Sequence, residues 1–296
     1  MHLILLPDKI LQLMVDGLPN KKIAFIIQAR MASTRLPGKI LMPMPIGSNK
    51  STLFRIVEGV KKIKIQKKIY IATSLDTKND PLEEFCETSN IKCYRGSEDN
   101  VLSRFIDILK SDEFDYVVRL TGDNPIIDTN FLEKSLAAHA NSQVDYTITK
   151  GLPMGMNFEI ITTQALLSLE FQKLTEEDEQ HVTLFLRESG NYNTSVFDID
   201  ENENLKELRL TVDYPSDYLV LSAIFSIGHK FKIPVDLDLI KFCKDHYSWL
   251  FEVNKSNYQK KVYNSLEEEI KEVRPLLQEY EFNRLSFFFK SKNDEI

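Results

Sequence analysis

Arg30, Arg35 and Lys39, with the hydroxyls of Ser33 and Thr34, crowd into one short segment, Gln28-Ala29-Arg30-Met31-Ala32-Ser33-Thr34-Arg35-Leu36-Pro37-Gly38-Lys39. Phosphate oxygens need such a gathering of positive charge and donors, and the planar guanidinium fork of arginine can hold two of them at once. The segment is not a Walker A loop. Gly38-Lys39 lacks the earlier glycine at the required spacing, and Ile40 stands where a Mg2+-binding hydroxyl would be, so ATP hydrolysis of the P-loop kind is disfavoured.

Two acidic segments complement this basic one. In Arg119-Leu120-Thr121-Gly122-Asp123-Asn124-Pro125, a glycine precedes Asp123 and a turn follows it, so its carboxylate can project into a cleft or bond to its own backbone. In Leu210-Thr211-Val212-Asp213-Tyr214-Pro215-Ser216-Asp217, Asp213 closes an apolar run and leads into a helix, where it could also serve as the N-cap. One carboxylate from each of two strand ends can hold a hard, oxygen-seeking cation such as Mg2+.

These residues need a scaffold that brings strand ends together, and the chain alternates accordingly. Ile23-Ala24-Phe25-Ile26-Ile27 is almost continuously apolar, as a strand covered on both faces should be. The expected helix over 52–62, the strand Lys68–Ala72, a helix opened by Asp80-Pro81 with Asp80 as its cap, a strand at 91–94, a helix over 98–110 and the strand Tyr116–Leu120 continue the rhythm. This predicts an α/β fold with a mostly parallel central sheet, whose ligands bind beyond the carboxyl ends of the strands. Further on, the pattern predicts strands at 144–148, 158–161 and 207–212, a helix over 162–171, an acidic helix over 176–188 and a helix from Tyr214 to about Ile227.

Composition narrows the partners. The 296 residues carry a net charge of −7 and 43% hydrophobic residues, enough for an ordinary globular core and no pull toward nucleic acid. Ten glycines in the whole chain leave phosphate binding mainly to side chains. Three cysteines, Cys86, Cys93 and Cys243, fit neither a disulfide framework nor a zinc knuckle, and a cytoplasmic protein is expected. Leu3-Ile4-Leu5-Leu6 is too short for an export signal, and no run approaches a membrane span. His2, His139, His229 and His246 have no partners at metal-binding spacing and read as surface or cap positions.

The segment from Ile26 to Lys39 resembles the opening motif of cytidylyltransferases that activate acidic 3-deoxy sugars, with particular likeness to the branch named after spore coat polysaccharide biosynthesis protein F. Further likenesses follow in the family's order: Ile71-Ala72-Thr73-Ser74, Arg95-Gly96-Ser97-Glu98-Asp99 with Val101-Leu102 and Arg104, Arg119 with Thr121-Gly122-Asp123-Asn124-Pro125, His181-Val182-Thr183 and Thr211-Val212-Asp213-Tyr214-Pro215. They span about 22 to 240.

The resemblance implies a nucleotide-diphospho-sugar transferase-like (GT-A-like) α/β fold and Mg2+-dependent transfer of CMP from CTP to a small sugar acid, with pyrophosphate released, for surface polysaccharide biosynthesis. Arg30, Ser33, Arg35 and Lys39 would hold the triphosphate, Gln28 and Ala29 would lie against the base, and Asp123 and Asp213 would bind Mg2+. Arg95, Ser97 and Arg104 would line the nucleotide or support its loop, and Asn157, Glu159 and His181 would meet the sugar acid. The chain departs from the family at Asn157, where G-x-D-x-E is usual, at Gln180 in place of glutamate and at Leu184 in place of a frequent proline. A glycosyltransferase using a nucleotide sugar on the same fold, and a non-catalytic nucleotide-binding homologue, are the alternatives. The expected organisation is an extension over 1–20, a nucleotidyltransferase domain over 21–245 and a charged helical extension over 246–296. Exposed apolar stretches in the second half are compatible with a homodimer.

Overall fold

The computed structural model describes residues 2–3, 18–198, 203–257, 265–279 and 284–285. Eight strands, β1 (His2–Leu3), β2 (Ile23–Gln28), β3 (Lys67–Ser74), β4 (Lys92–Gly96), β5 (Tyr116–Thr121), β6 (Tyr146–Lys150), β7 (Glu159–Thr162) and β8 (Thr194–Asp198), form one sheet in the order β1-β8-β6-β7-β5-β2-β3-β4. β7 runs antiparallel to β5 and β6, and the other pairings are parallel. This is the expected mixed α/β architecture. β2 lies between β3 and β5, and Gln28 is in register with Ala72 on one side and Thr121 on the other.

Alternation along β2 explains the two cores. Ile23, Phe25 and Ile27 point to one face, where they join α1 (Thr52–Lys62), α4 (Thr129–Ser142), α9 (Pro215–Phe231) and α10 (Leu237–His246). Ala24 and Ile26 point to the other, against α3 (Val101–Lys110) and α5 (Thr163–Ser168). Phe25 is fully buried, and truncating such a phenylalanine to alanine costs about 3–5 kcal/mol. Side chains fix the helix starts: Ser51 Oγ accepts from Phe54 N at 3.1 Å, and Asn100 Oδ1 accepts from Ser103 N at 2.7 Å.

Several local expectations are corrected. Asp80 is the first residue of α2 (Asp80–Ser89) and not its N-cap; the residue before it, Asn79, makes no side-chain cap bond, and the Asp80 carboxylate instead takes a bond from Arg95. The stretch 207–212 is a single backbone bridge, Met154 to Arg209, with Met154 N donating to Leu208 O and Leu210 N to Met154 O. The acidic helix splits into α6 (Glu176–His181) and α7 (Leu184–Glu188). Val182 between them has φ 64° and ψ −49°, and Thr183 N donates to His181 O at 2.6 Å, a strained γ-turn rare for a β-branched residue. β8 was not expected from the pattern. His139 is a core histidine rather than a surface or cap residue: it is buried, with Nδ1 2.7 Å from Thr147 Oγ1.

The chain divides into two compact units, Met1–Ser256 and Asn257–Ile296. The short helix α8 (Glu203–Lys206) and a 3-10 turn at Ser248–Val253, with Leu250 and Phe251 buried, belong to the first. The described part of the second is mainly α11 (Leu266–Glu279), whose first turn carries Glu267, Glu268 and Glu269. The Phe287-Phe288-Phe289 cluster and most of the N-terminal extension lie outside the described residues. No described helix is long and apolar enough to cross a membrane.

Candidate active site

The loop after β2 is closed by its own backbone and by the 3-10 turn Thr77–Asn79 that precedes α2. Gly38, at φ 71°, donates to Met31 O at 3.3 Å, and Met31 N donates to Asn79 Oδ1 at 2.8 Å. The left-handed turn at Gly38 is one that glycine adopts without penalty. It delivers Lys39 into a buried position at the start of a 3-10 turn, Lys39–Leu41.

Lys39 Nζ donates to Asp123 Oδ2 at 2.7 Å and to Asp213 Oδ1 at 2.8 Å. One ammonium thus bridges the two carboxylates, and a backbone bond from Val212 N to Asp123 O at 2.8 Å holds their segments side by side. Gly155 lets the loop before β7 approach the stretch that leads to Asp213. Its φ is 93°, and a β-carbon there would sit 2.6 Å from Leu210 O.

Asp213 is the more enclosed carboxylate. Its Oδ1 also accepts from Arg35 Nη2, and its Oδ2 from Arg209 Nη2, both at 2.9 Å. Burial alone would raise its pKa, but the Lys39 bond and the charges of Lys39, Arg35 and Arg209 hold it below the ordinary carboxylate value. Arg35 lies over the Tyr214 ring, 4.8 Å from its centroid, and donates to the Tyr214 hydroxyl at 3.3 Å. Burial opposes the Arg35 charge; the hydroxyl and Asp213 outweigh it and raise the guanidinium pKa.

A buried layer supports the Asp213 turn. Arg209 Nε donates to Asp217 Oδ1 at 2.9 Å, and Asp217 Oδ2 accepts the backbone N–H groups of Asp213 and Tyr214 at 3.0 Å. Asp217, not Asp213, therefore satisfies the free amides at the start of α9. Asn254 Nδ2 donates to both Asp217 Oδ1 and Arg209 O at 2.9 Å. Sequence reasoning missed Arg209, Asp217 and Asn254, although a lone arginine in Leu208-Arg209-Leu210 implies a buried anionic partner.

A second polar chain crosses the sheet. Arg119 Nε donates to Gln28 Oε1 at 3.0 Å, and Arg119 Nη1 pairs with Glu159. Glu159 also accepts from Tyr146 Oη at 2.6 Å and Thr183 Oγ1 at 2.8 Å. Burial works against its charge, and Arg119 with the two hydroxyls keeps its pKa low. Glu159 and Arg119 line a cavity of about 170 Å3 together with Thr121, Asn124, Gly155 and Asn157. Asn157 Nδ2 donates to Leu152 O and Pro153 O, fixing the loop before β7.

The remaining expected residues are placed as follows. Arg30 is exposed, with no ion pair among the described residues, and Ser33 Oγ accepts from Leu36 N within the loop. Ala29 is buried beside Gly122, where an added β-carbon would come within 3.0 Å of it. Arg95 is taken up by Asp80 and Glu83. Arg104 Nε donates to Ser97 O at 2.6 Å and its Nη2 to Glu98 O at 2.8 Å, so both Arg104 and Ser97 shape the loop after β4. His181 ends α6 at an exposed position, two residues from the Thr183 that grips Glu159.

A parallel-dominated sheet with carboxylates and cations massed at its strand ends defines a nucleotidyltransferase class of α/β protein, and the comparisons with known proteins agree. The chain belongs to the cytidylyltransferase family, which it matches over residues 24–270. It is 35% identical over 208 residues to the spore coat polysaccharide biosynthesis protein SpsF of Bacillus subtilis, covering 69% of this chain and 86% of that protein. It is 25% identical to the 8-amino-3,8-dideoxy-manno-octulosonate cytidylyltransferase of Shewanella frigidimarina, covering 56% of this chain and 65% of that protein. A solved cytidylyltransferase from Leptospira borgpetersenii superposes with a TM-score of 0.70 at 26% identity, over 83% of this chain and all of that one.

Proposed function

We propose that the protein transfers CMP from CTP to a sugar acid, releasing pyrophosphate, in the supply of activated sugars for surface polysaccharide. The observation that carries this reading is the single Lys39 ammonium bonded to both Asp123 and Asp213 at the mouth of a basic loop. The names of two relatives, one in spore coat polysaccharide biosynthesis and one acting on an amino-dideoxy-octulosonate, support the acceptor class.

In this reading a sugar hydroxyl gives up its proton to solvent as its oxygen forms a bond to the α-phosphorus of CTP and the bond from that phosphorus to the pyrophosphate oxygen breaks. Lys39 and Arg35 receive the charge that builds on the leaving pyrophosphate, and the exposed Arg30 and the Ser33 hydroxyl hold the outer phosphates. Fixed cations of this kind act without reorganising at the moment of reaction. Gln28 and Ala29 lie against the base. The cavity bounded by Arg119, Asn157 and Glu159 receives the acceptor, with His181 at its rim.

Hard carboxylate oxygens from two chain segments are the right chemistry for Mg2+, and Oδ1 of Asp123 takes no hydrogen bond among the described residues, but both Asp213 oxygens are held by Lys39, Arg35 and Arg209, so Asp213 could ligate the ion only once one of these cations moved away. Asp123 and Asp213 would hold the ion, which when bound would draw charge from the α-phosphate.

Incubation of the purified protein with CTP, MgCl2 and a panel of 3-deoxy-octulosonic and nonulosonic acids, read by mass spectrometry, tests the reading. A CMP-sugar with stoichiometric pyrophosphate is expected from at least one acid. CTP consumption without a CMP-sugar, or glycosyl transfer from a supplied nucleotide sugar, would overturn it.

A further inference from the structure

Asp123, Asp213 and Asp217 face Lys39, Arg35 and Arg209 in one linked cluster, so three carboxylates are balanced by three cations before any ligand arrives. A divalent ion added to that set would meet no uncompensated charge. It can be held only if a cation leaves.

The three cations differ in what else holds them. The Arg209 side chain is 5% exposed, and two bonds to Asp217 pin it beneath the turn. Arg35 lies over the Tyr214 ring and donates to its hydroxyl as well as to Asp213. Lys39 has neither kind of anchor: its ammonium bonds to the two carboxylates and to nothing else among the described residues. Its backbone stays in place, since Lys39 N donates to Leu36 O at 3.3 Å and Leu41 N to Gly38 O at 3.0 Å. A flexible four-carbon stem on a fixed backbone can swing its charge without disturbing the fold. Position matters as much as freedom. At 2.7 Å from Asp123 Oδ2 and 2.8 Å from Asp213 Oδ1, the ammonium fills the space that an ion bridging those oxygens would need.

We infer that Lys39 is the resident competitor of the divalent ion: in the free protein its ammonium occupies the place between Asp123 and Asp213, and the phosphates of an arriving nucleotide draw it out and open that place. This rests on the nucleotidyl-transfer reading, in which the basic loop meets the triphosphate. Ion and nucleotide then bind as coupled partners, each raising the affinity for the other by the same factor. The ion alone binds weakly, because without phosphate the open arrangement is a minor one. One cation replaces another, so the two carboxylates never face each other bare.

Mn2+, which takes the same hard oxygen ligands, is the probe, titrated without nucleotide and followed by electron paramagnetic resonance of the free ion. Lys39→Met is expected to bind Mn2+ at least about tenfold more tightly than the wild type, the gain for a place open less than about a tenth of the time in the wild type. Arg35→Met takes an equal charge from the same Asp213 oxygen but leaves Lys39 in place, so its gain should stay below about threefold. Mn2+ should also raise the melting temperature of Lys39→Met and not that of the wild type at the same concentration. Lys39→Gln, whose neutral amide cannot balance the carboxylates, carries the same comparison if the methionine variant does not fold. Equal Mn2+ affinity in the wild type and a folded Lys39 variant, or an equal gain in Arg35→Met, overturns the inference and leaves nucleotidyl transfer standing, since that is read from the CMP-sugar itself. A folded wild type that makes no CMP-sugar and binds no CTP overturns both.

Discussion

Lys39 Nζ lies 2.8 Å from Oδ1 of Asp213 although 174 residues separate them in the chain. The contact ties the loop after β2 to the turn that opens α9, and the second bond from the same ammonium, to Asp123, draws in the end of β5. Lys39→Met would leave the carboxylates without the cation between them. Turnover should fall by about 100-fold or more, with the binding of free cytidine unchanged; steady-state pyrophosphate release and a cytidine titration check the two halves of this prediction.

The buried pair of Arg209 and Asp217 is needed for more than charge, since Asp217 also takes two backbone amides and a bond from Asn254. Asp217→Ala leaves Arg209 with Asp213 as its remaining carboxylate partner and removes the acceptor of two backbone amides and of Asn254, and breaking such a buried pair costs about 3–5 kcal/mol. Chemical denaturation should show a loss of that size. A loss below 1 kcal/mol would mean that water reaches Arg209 freely.

Gly155→Ala places a β-carbon 2.6 Å from Leu210 O at a backbone φ of 93°. The bridge between Met154 and Arg209 must shift, and with it the stretch that carries Asp213. The expected result is lower stability, by at least about 1 kcal/mol, and a reduced kcat; an alanine variant with wild-type melting temperature and kcat would contradict the account of this close approach.

His139 makes stability depend on pH. Burial lowers its pKa to about 4, its Nε2 has no hydrogen-bond partner among the described residues, and Nδ1 faces Thr147 while the Tyr116 ring packs edge-on. Between pH 6.5 and 4 the unfolded chain binds this proton and the folded protein does not. Its contribution is therefore complete above pH 6.5 and is lost as pH falls toward 4, by roughly 3 kcal/mol. His139→Gln, which cannot take up the proton, should flatten that part of a denaturation-versus-pH curve.

The apolar runs at Ile23–Ile27, Lys68–Ala72 and Tyr116–Leu120 made the central strands legible in the sequence, because strands covered on both faces have little freedom in composition. The charged residues of 28–39 and the two aspartates were legible as types; the ends of β2 and β5 place the basic loop and Asp123, and the turn that opens α9 brings Asp213 to them. Less local relationships were hidden. Nothing in the composition of 207–212 says that it forms one bridge rather than a strand, because that depends on Gly155 and Met154 arriving opposite it. The break at Val182 was equally invisible: a buried valine at positive φ is held by packing and by the Thr183 contact with Glu159, not by local preference. Asn254 lay in a stretch read as a charged extension, and only tertiary contact brings it to Asp217.

The central claim is that Asp123 and Asp213 act as one unit with Lys39. Pyrophosphate release from CTP and a competent sugar acid, measured across a Mg2+ titration for Asp123→Asn, Asp213→Asn and the double variant, tests it most directly. Each single change should lower kcat at least about 100-fold, and the double change should add little to either. A single variant that retains more than about a tenth of the wild-type kcat, or losses that multiply in the double variant, would contradict it.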